Sequence, residues 1–145
     1  MTRTVEAVAA DLARLTARDF EWEPGADGPE RLHSLCDELH VAGSLHDAAP
    51  VLFQLVERLS DTDLGSPGPI VHTLEAMPGY ECYLRESVHR RATLLTLWMV
   101  NRIANARRPD WADWVELLKA VAQDNRAPSS VREEANHFLV VQREA

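Results

Sequence analysis

Lysine is almost missing from this chain. Lys119 stands alone among 15 basic residues, the rest being arginine, a bias that points to a GC-rich coding sequence and says little about function. Cysteine is scarce as well. Cys36 and Cys82 are the only two; they lie far apart and outside any CxxC spacing, so free buried thiols are expected in preference to a disulfide or a zinc site. No apolar run approaches the roughly 20 residues that a membrane helix needs, and the first residues lead into an amphipathic segment without the apolar core of a signal peptide. The expectation is a cytosolic chain with no membrane partner and no redox chemistry.

Catalytic signatures are lacking too. The six histidines, His33, His40, His46, His72, His89 and His137, form no HExxH, and no two stand three or four residues apart with a carboxylate to complete a helical metal site. His33 and His40 lie two turns apart on one face, which is a weak pattern. Cys82 and His89 are seven residues apart, Ser87 is too near His89 to face it on a helix, and there is neither a glycine-rich phosphate loop nor a GxSxG turn. Asp61 and Asp63 have the spacing that opens a calcium loop, but the glycine and bidentate glutamate required downstream are missing, so a solvated turn with capping acids is the better reading. The sequence therefore predicts no enzyme, no cofactor and no metal.

Length and composition fit an ordered domain. With 145 residues, 46% hydrophobic and 26% charged, residues 1–145 can bury a sizeable core as one domain without disulfides or metals. The net charge of −8 is unevenly spread. Residues 1–64 carry 5 basic and 13 acidic side chains, whereas residues 65–145 carry 10 of each. All the net acidity lies in the first half. A nucleic-acid binder requires clustered Lys and Arg, so this distribution argues against a nucleic-acid partner and fits a basic protein partner. Acidity also serves solubility by itself, and that plainer reading stands beside the first.

The apolar residues recur at helical spacing throughout. Val5, Val8, Leu12 and Leu15 predict a helix over residues 4–18. Phe20 to Gly28 breaks it, a loop in which Phe20 and Trp22 either anchor a partner or tuck onto the domain as a lid. Pro29 opens a second helix with Leu32, Leu35, Cys36 and Leu39 inward, ending near Gly43. His46 and Asp47 open a third, with Pro50 in its first turn and Val51, Leu52, Leu55, Val56 and Leu59 packed inward. Ser66 and Pro67 suit a helix cap and first position, and Ile70, Val71, Leu74 and Met77 follow as a stripe that Pro78-Gly79 ends. Tyr80, Tyr83, Leu84 and Val88 mark the next helix, with a corner at residues 90–92. Residues 94–105 then form an almost unbroken apolar run, the expected buried core helix. Asp110 is placed to cap a helix from Trp111 to Gln123, and Ser129 or Ser130 to cap a last one over residues 131–143. No segment alternates as a strand would. The fold class is therefore all-α, about eight helices in antiparallel pairs, either a HEAT-like stack or a compact irregular helical bundle.

The central stretch, residues 64–106, also resembles a known family. The string LGSPGPIVHTLE, then GYE, a basic pair and TLWMVNRIANA, is similar to small bacterial immunity proteins of polymorphic toxin systems, the inhibitors encoded beside contact-dependent or secreted toxins. The resemblance covers this third of the chain only. It implies that the chain binds and neutralises a cognate toxin domain, and many toxin domains that attack nucleic acid are basic. Within the motif, His72 is expected to donate to a neighbouring turn's carbonyl, and Arg102 either to pair with Glu75 or Glu86 as a scaffold contact or to face a partner beside Asn101. Specificity is then expected elsewhere. The candidate partner-binding residues are the acidic and aromatic set Asp19, Glu21, Trp22, Glu23, Asp27, Asp37, Glu38, Asp61 and Asp63, with Trp111 and Trp114 if exposed, since aromatic anchors ringed by charge are common hot spots. The alternative reading is a helical-repeat adaptor with a protein client and no toxin.

Overall fold

A computed structural model describes residues 3–21, 24–65 and 68–144. Every regular element among them is helical, so the class is all-α as the apolar spacing predicts. Eight α-helices are described: α1 (Val5–Ala13), α2 (Gly28–Ala42), α3 (Leu45–Arg58), α4 (Gly68–Glu75), α5 (Glu81–Arg91), α6 (Leu94–Asn105), α7 (Trp111–Ala122) and α8 (Ser129–Glu144), with a 3-10 helix at Ala17–Phe20. The contacts divide the chain into two units, Met1–Tyr83 and Leu84–Ala145, and the division falls inside α5.

In the first unit, Thr4 starts α1 by accepting the Ala7 N–H on its hydroxyl oxygen at 3.1 Å. The helix stops at Ala13, five residues short of the expected end. The cause is local: the Asp19 carboxylate takes the Thr16 N–H at 2.7 Å, and this capping box restarts the chain as the 3-10 turn. The carbonyls at the end of α1 and just beyond it take a further donor, although Leu12 already accepts the Leu15 N–H. Arg58, from the last turn of α3, donates to the Leu15 carbonyl at 2.8 Å and the Leu12 carbonyl at 3.1 Å, bringing a cation to the negative end of the helix dipole. Gly28 opens α2 where only glycine fits, because a Cβ there would lie 2.4 Å from the Asp19 carbonyl oxygen. Pro50 sits well inside α3 and not in its first turn as expected; its missing N–H leaves one rung of the ladder unmade. The helix survives because its apolar stripe is deeply buried, with Leu52 and Phe53 at 0% and 1% exposure. α1 packs on α2 and α3, and α4 on α2 and α3, enclosing Val8, Leu12, Leu32, Leu39, Leu52, Phe53, Ile70 and Leu74. The expected opening of α4 at Ser66 and Pro67 lies outside the described residues.

The second unit rests on α6, α7 and α8, each packed on the other two. Thr93 caps α6 in a buried box: its hydroxyl takes the Thr96 N–H at 3.1 Å while Thr96 takes the Thr93 N–H at 3.0 Å. Asp110 precedes α7 but does not cap it through its side chain; the carboxylate instead accepts the Trp114 indole N–H at 2.9 Å and the Arg108 guanidinium at 3.1 Å. Helix α8 starts two residues earlier than expected, because the Pro128 carbonyl accepts the N–H groups of Val131 and Arg132 and puts both serines inside the first turn. Leu97, Val100, Trp114, Leu118, Ala135 and Leu139 fill the core.

Candidate interaction surface

The division of the fold sharpens the charge asymmetry. Met1–Tyr83 carries 5 basic and 15 acidic residues, net −10, whereas Leu84–Ala145 carries 10 basic and 8 acidic, net +2. Several of the acids singled out in the sequence are tied down inside the first unit. Glu38 is held by a two-pronged contact from Arg3 at 2.7 and 2.9 Å, and Arg3 also reaches Asp11 at 2.7 Å. The Arg3 guanidinium holds both carboxyls below their ordinary range, so they are anions at neutral pH. Asp19 is used in the Thr16 box, and Arg31 lies 3.8 Å from both Asp19 and Asp27. Asp63 accepts the Gly65 N–H at 3.0 Å.

Other acids face water. Glu21 and Asp61 are exposed, Asp27 is exposed even with Arg31 3.8 Å away, and Asp37 is 73% exposed beside His33 at 3.7 Å. Glu6, Glu30 and Asp47, which are not among the candidate partner-binding residues, are exposed as well. Glu30 lines a shallow cleft of about 250 Å³ with Asp11, Arg31, Ser34 and Leu35. Their common signal was available: each falls off the buried stripe of its helix. Trp22 and Glu23 lie outside the described residues.

The two tryptophans proposed as anchors separate. Trp114 is 2% exposed and is a core residue, with the Arg85 guanidinium 4.4 Å from its ring centre; the expectation that it anchors a partner is corrected, because its position in the α7 stripe points it inward. Trp111 is half-buried, its N–H donated to Gln142 Oε1 at 3.0 Å and its ring covered by Arg107 at 4.6 Å. Gln142 is itself 1% exposed and donates to Asn101 at 2.7 Å and Asn105 at 2.8 Å, so Asn101 serves the scaffold. Arg107 has a φ of 52°, a left-handed conformation uncommon for a side-chain-bearing residue; its guanidinium donates to the Gln142 carbonyl at 2.7 Å, closing the C-terminal end of α8.

The remaining groups weighed for chemistry are dispersed. His72 is exposed, and no hydrogen bond to a carbonyl holds it among the described residues. Arg102 lies over Trp98, its own neighbour one turn back, at 5.4 Å. Cys36 is buried, and burial pushes its thiol up to about 12, which keeps it protonated and unreactive. Cys82 is exposed, contrary to the expectation that both thiols are buried. Among the described residues no three His, Cys, Asp or Glu side chains converge as metal ligands, and no helix is long and apolar enough to cross a membrane.

Two residues that the sequence reading placed in the core turn out to face water. Leu94 is 46% exposed and Trp98 is only half-buried. With Arg102 they stand at i, i+4 and i+8 on α6, while Thr96, Leu97, Met99, Val100, Ile103 and Ala104 are buried on the other side. The signal was the continuous apolar run itself, which hides a row of period 3.6 at its outer edge. Comparison with protein-family models, curated proteins and solved structures finds no match to this chain.

Proposed function

We propose that this chain is an immunity protein that binds a basic toxin domain and occludes the surface that the toxin works with. The observation that carries the reading is the concentration of the whole negative excess in one unit, net −10 over Met1–Tyr83. Exposed carboxylates on that unit raise the local concentration of a cationic partner and speed its capture. The resemblance of residues 64–106 to toxin-neutralising proteins supplies the identity of the partner class. The partner docks without chemistry on this chain's part, and inhibition follows from coverage.

The test is co-expression in a sensitive host with the C-terminal domain of the protein encoded immediately upstream, followed by co-purification. Survival with a soluble one-to-one complex is the expected result. Growth arrest with both chains soluble, or no toxicity from the neighbour alone, would overturn the reading and favour the adaptor role.

A further inference from the structure

We infer that pH sets how strongly the acidic unit draws its cationic partner, through an outward row of α2 in which carboxylates and imidazoles alternate. This rests on the immunity reading and adds its regulation. The row is Glu30, His33, Asp37 and His40, spaced by three, four and three residues, so the four positions lie along one face of the helix. All four are exposed. Leu32, Leu35, Cys36 and Leu39 carry the burial of α2 and fall outside the row.

Asp37 stands between two imidazoles, one a turn before it and one a turn after. His33 Nε2 lies 3.7 Å from its carboxylate, and the two side chains are 68% and 73% exposed. His40 follows Asp37 at the three-residue spacing that makes helix positions neighbours. No group elsewhere in the fold takes hold of either histidine. α2 packs on α1, the 3-10 turn and α4, whose titratable groups are Glu6, Asp11, Arg18, Asp19, His72 and Glu75. Among the described residues none of these, and no side chain of α3, makes an ion pair or hydrogen bond with His33 or His40. On α2 itself Arg31 lies by Asp19 and Asp27, and Glu38 is held by Arg3.

Imidazole is the side chain that ordinarily gains its charge between about pH 8 and about pH 5. With both imidazoles neutral the row carries two negative charges. With both protonated it carries none, because each carboxylate then has a cation one turn away. His46 and His72, the other histidines of Met1–Tyr83, are exposed too, so four added protons take that unit from −10 to −6. A cationic partner is therefore drawn most strongly when the imidazoles are neutral, and more weakly as they gain protons.

The experiment measures the association rate of the purified chain with the upstream protein's C-terminal domain at low ionic strength, at about pH 7.5 and about pH 5.5. The wild type is compared with the double variant His33→Gln and His40→Gln. Glutamine is a good helix former and keeps both positions polar, so the helix content is unchanged. The partner's own groups titrate alike in both measurements and cancel in the comparison. At the higher pH the two rates are expected to agree, since the row then carries the same charge in both proteins. At the lower pH the wild type is expected to be slower than the variant by about twofold or more. Any other pattern, equal rates in acid above all, would overturn the row's part in the capture and leave the immunity reading standing. No complex with the wild-type chain at either pH would overturn both.

Discussion

The two units differ in how far they take their polar groups into the fold. In Met1–Tyr83 the charged contacts run over the surface: Arg3 to Asp11 and Glu38, with Arg31 between Asp19 and Asp27. Leu84–Ala145 has surface pairs too, Lys119 to Glu116 and Arg126 to Asp124, but it also draws a polar network inward. Gln142, at 1% exposure, binds Asn101, Asn105 and Trp111, and the Thr93–Thr96 box is buried. A buried network costs much to break because each orphaned group has lost its water, whereas exposed ion pairs contribute little and are screened by salt. The second unit thus spends part of its polarity on the scaffold, and the first leaves much of its charge facing solvent for other use.

The sharpest way to break this contrast is Gln142→Leu, which orphans the Trp111 N–H. We expect a loss of about 2 kcal/mol in urea unfolding, little changed by salt. A loss that vanishes in high salt would mean that the network is not buried in effect. Next comes Arg107, where a strained backbone and a useful side chain coincide. Arg107→Ala keeps the left-handed strain and forfeits the bond to the Gln142 carbonyl, while Arg107→Gly removes both. The glycine variant is expected to be the more stable of the two by about 1 kcal/mol, and the reverse order would show that φ is not held at that position.

Acid addresses both units. Asp110 is held below its ordinary value of 3.8 by the Trp114 indole N–H and then by Arg108, and Asp124 is lowered by Arg126; in the first unit Arg3 lowers Asp11 and Glu38. A carboxyl with a depressed folded value stabilises the fold fully above its unfolded value and loses that contribution as pH falls through the folded one. Urea midpoints should therefore be level with respect to these four groups from pH 7 to about 5 and fall below about 4. Smallest of all is Arg3→Ala. It removes the surface clamp, and the slight loss expected at low salt should disappear at high salt; a loss that persists would place the clamp among the scaffold contacts.

Much of this architecture was legible in the sequence. The boundaries of α2, α6 and α7 follow from Pro29 and Gly43, from the corner at residues 90–92 and from the turn before Trp111, because caps and breakers act within one turn. What was missed depends on groups distant in sequence or on competition between local bonds. The Thr16–Asp19 box shortens α1, and the burial of Trp114 depends on helices that periodicity cannot place. The apolar run at residues 94–105 hid an outer row because a helix rich in leucine on most sides shows no contrast from which to read its faces. Among the candidate acids, exposure was readable from the helical stripe. The engagement of Glu38 by Arg3, 35 residues away, was not.

Long-range attraction between an acidic unit and a cationic partner is reached directly by one measurement. The association rate with the upstream protein's C-terminal domain is followed as ionic strength rises from about 0.05 M to about 0.5 M, where the screening length shrinks from more than 10 Å to only a few ångströms. We predict that the rate falls about tenfold or more while dissociation changes little. An association rate independent of salt would contradict the account, because it would leave the charge on Met1–Tyr83 without a part in finding the partner.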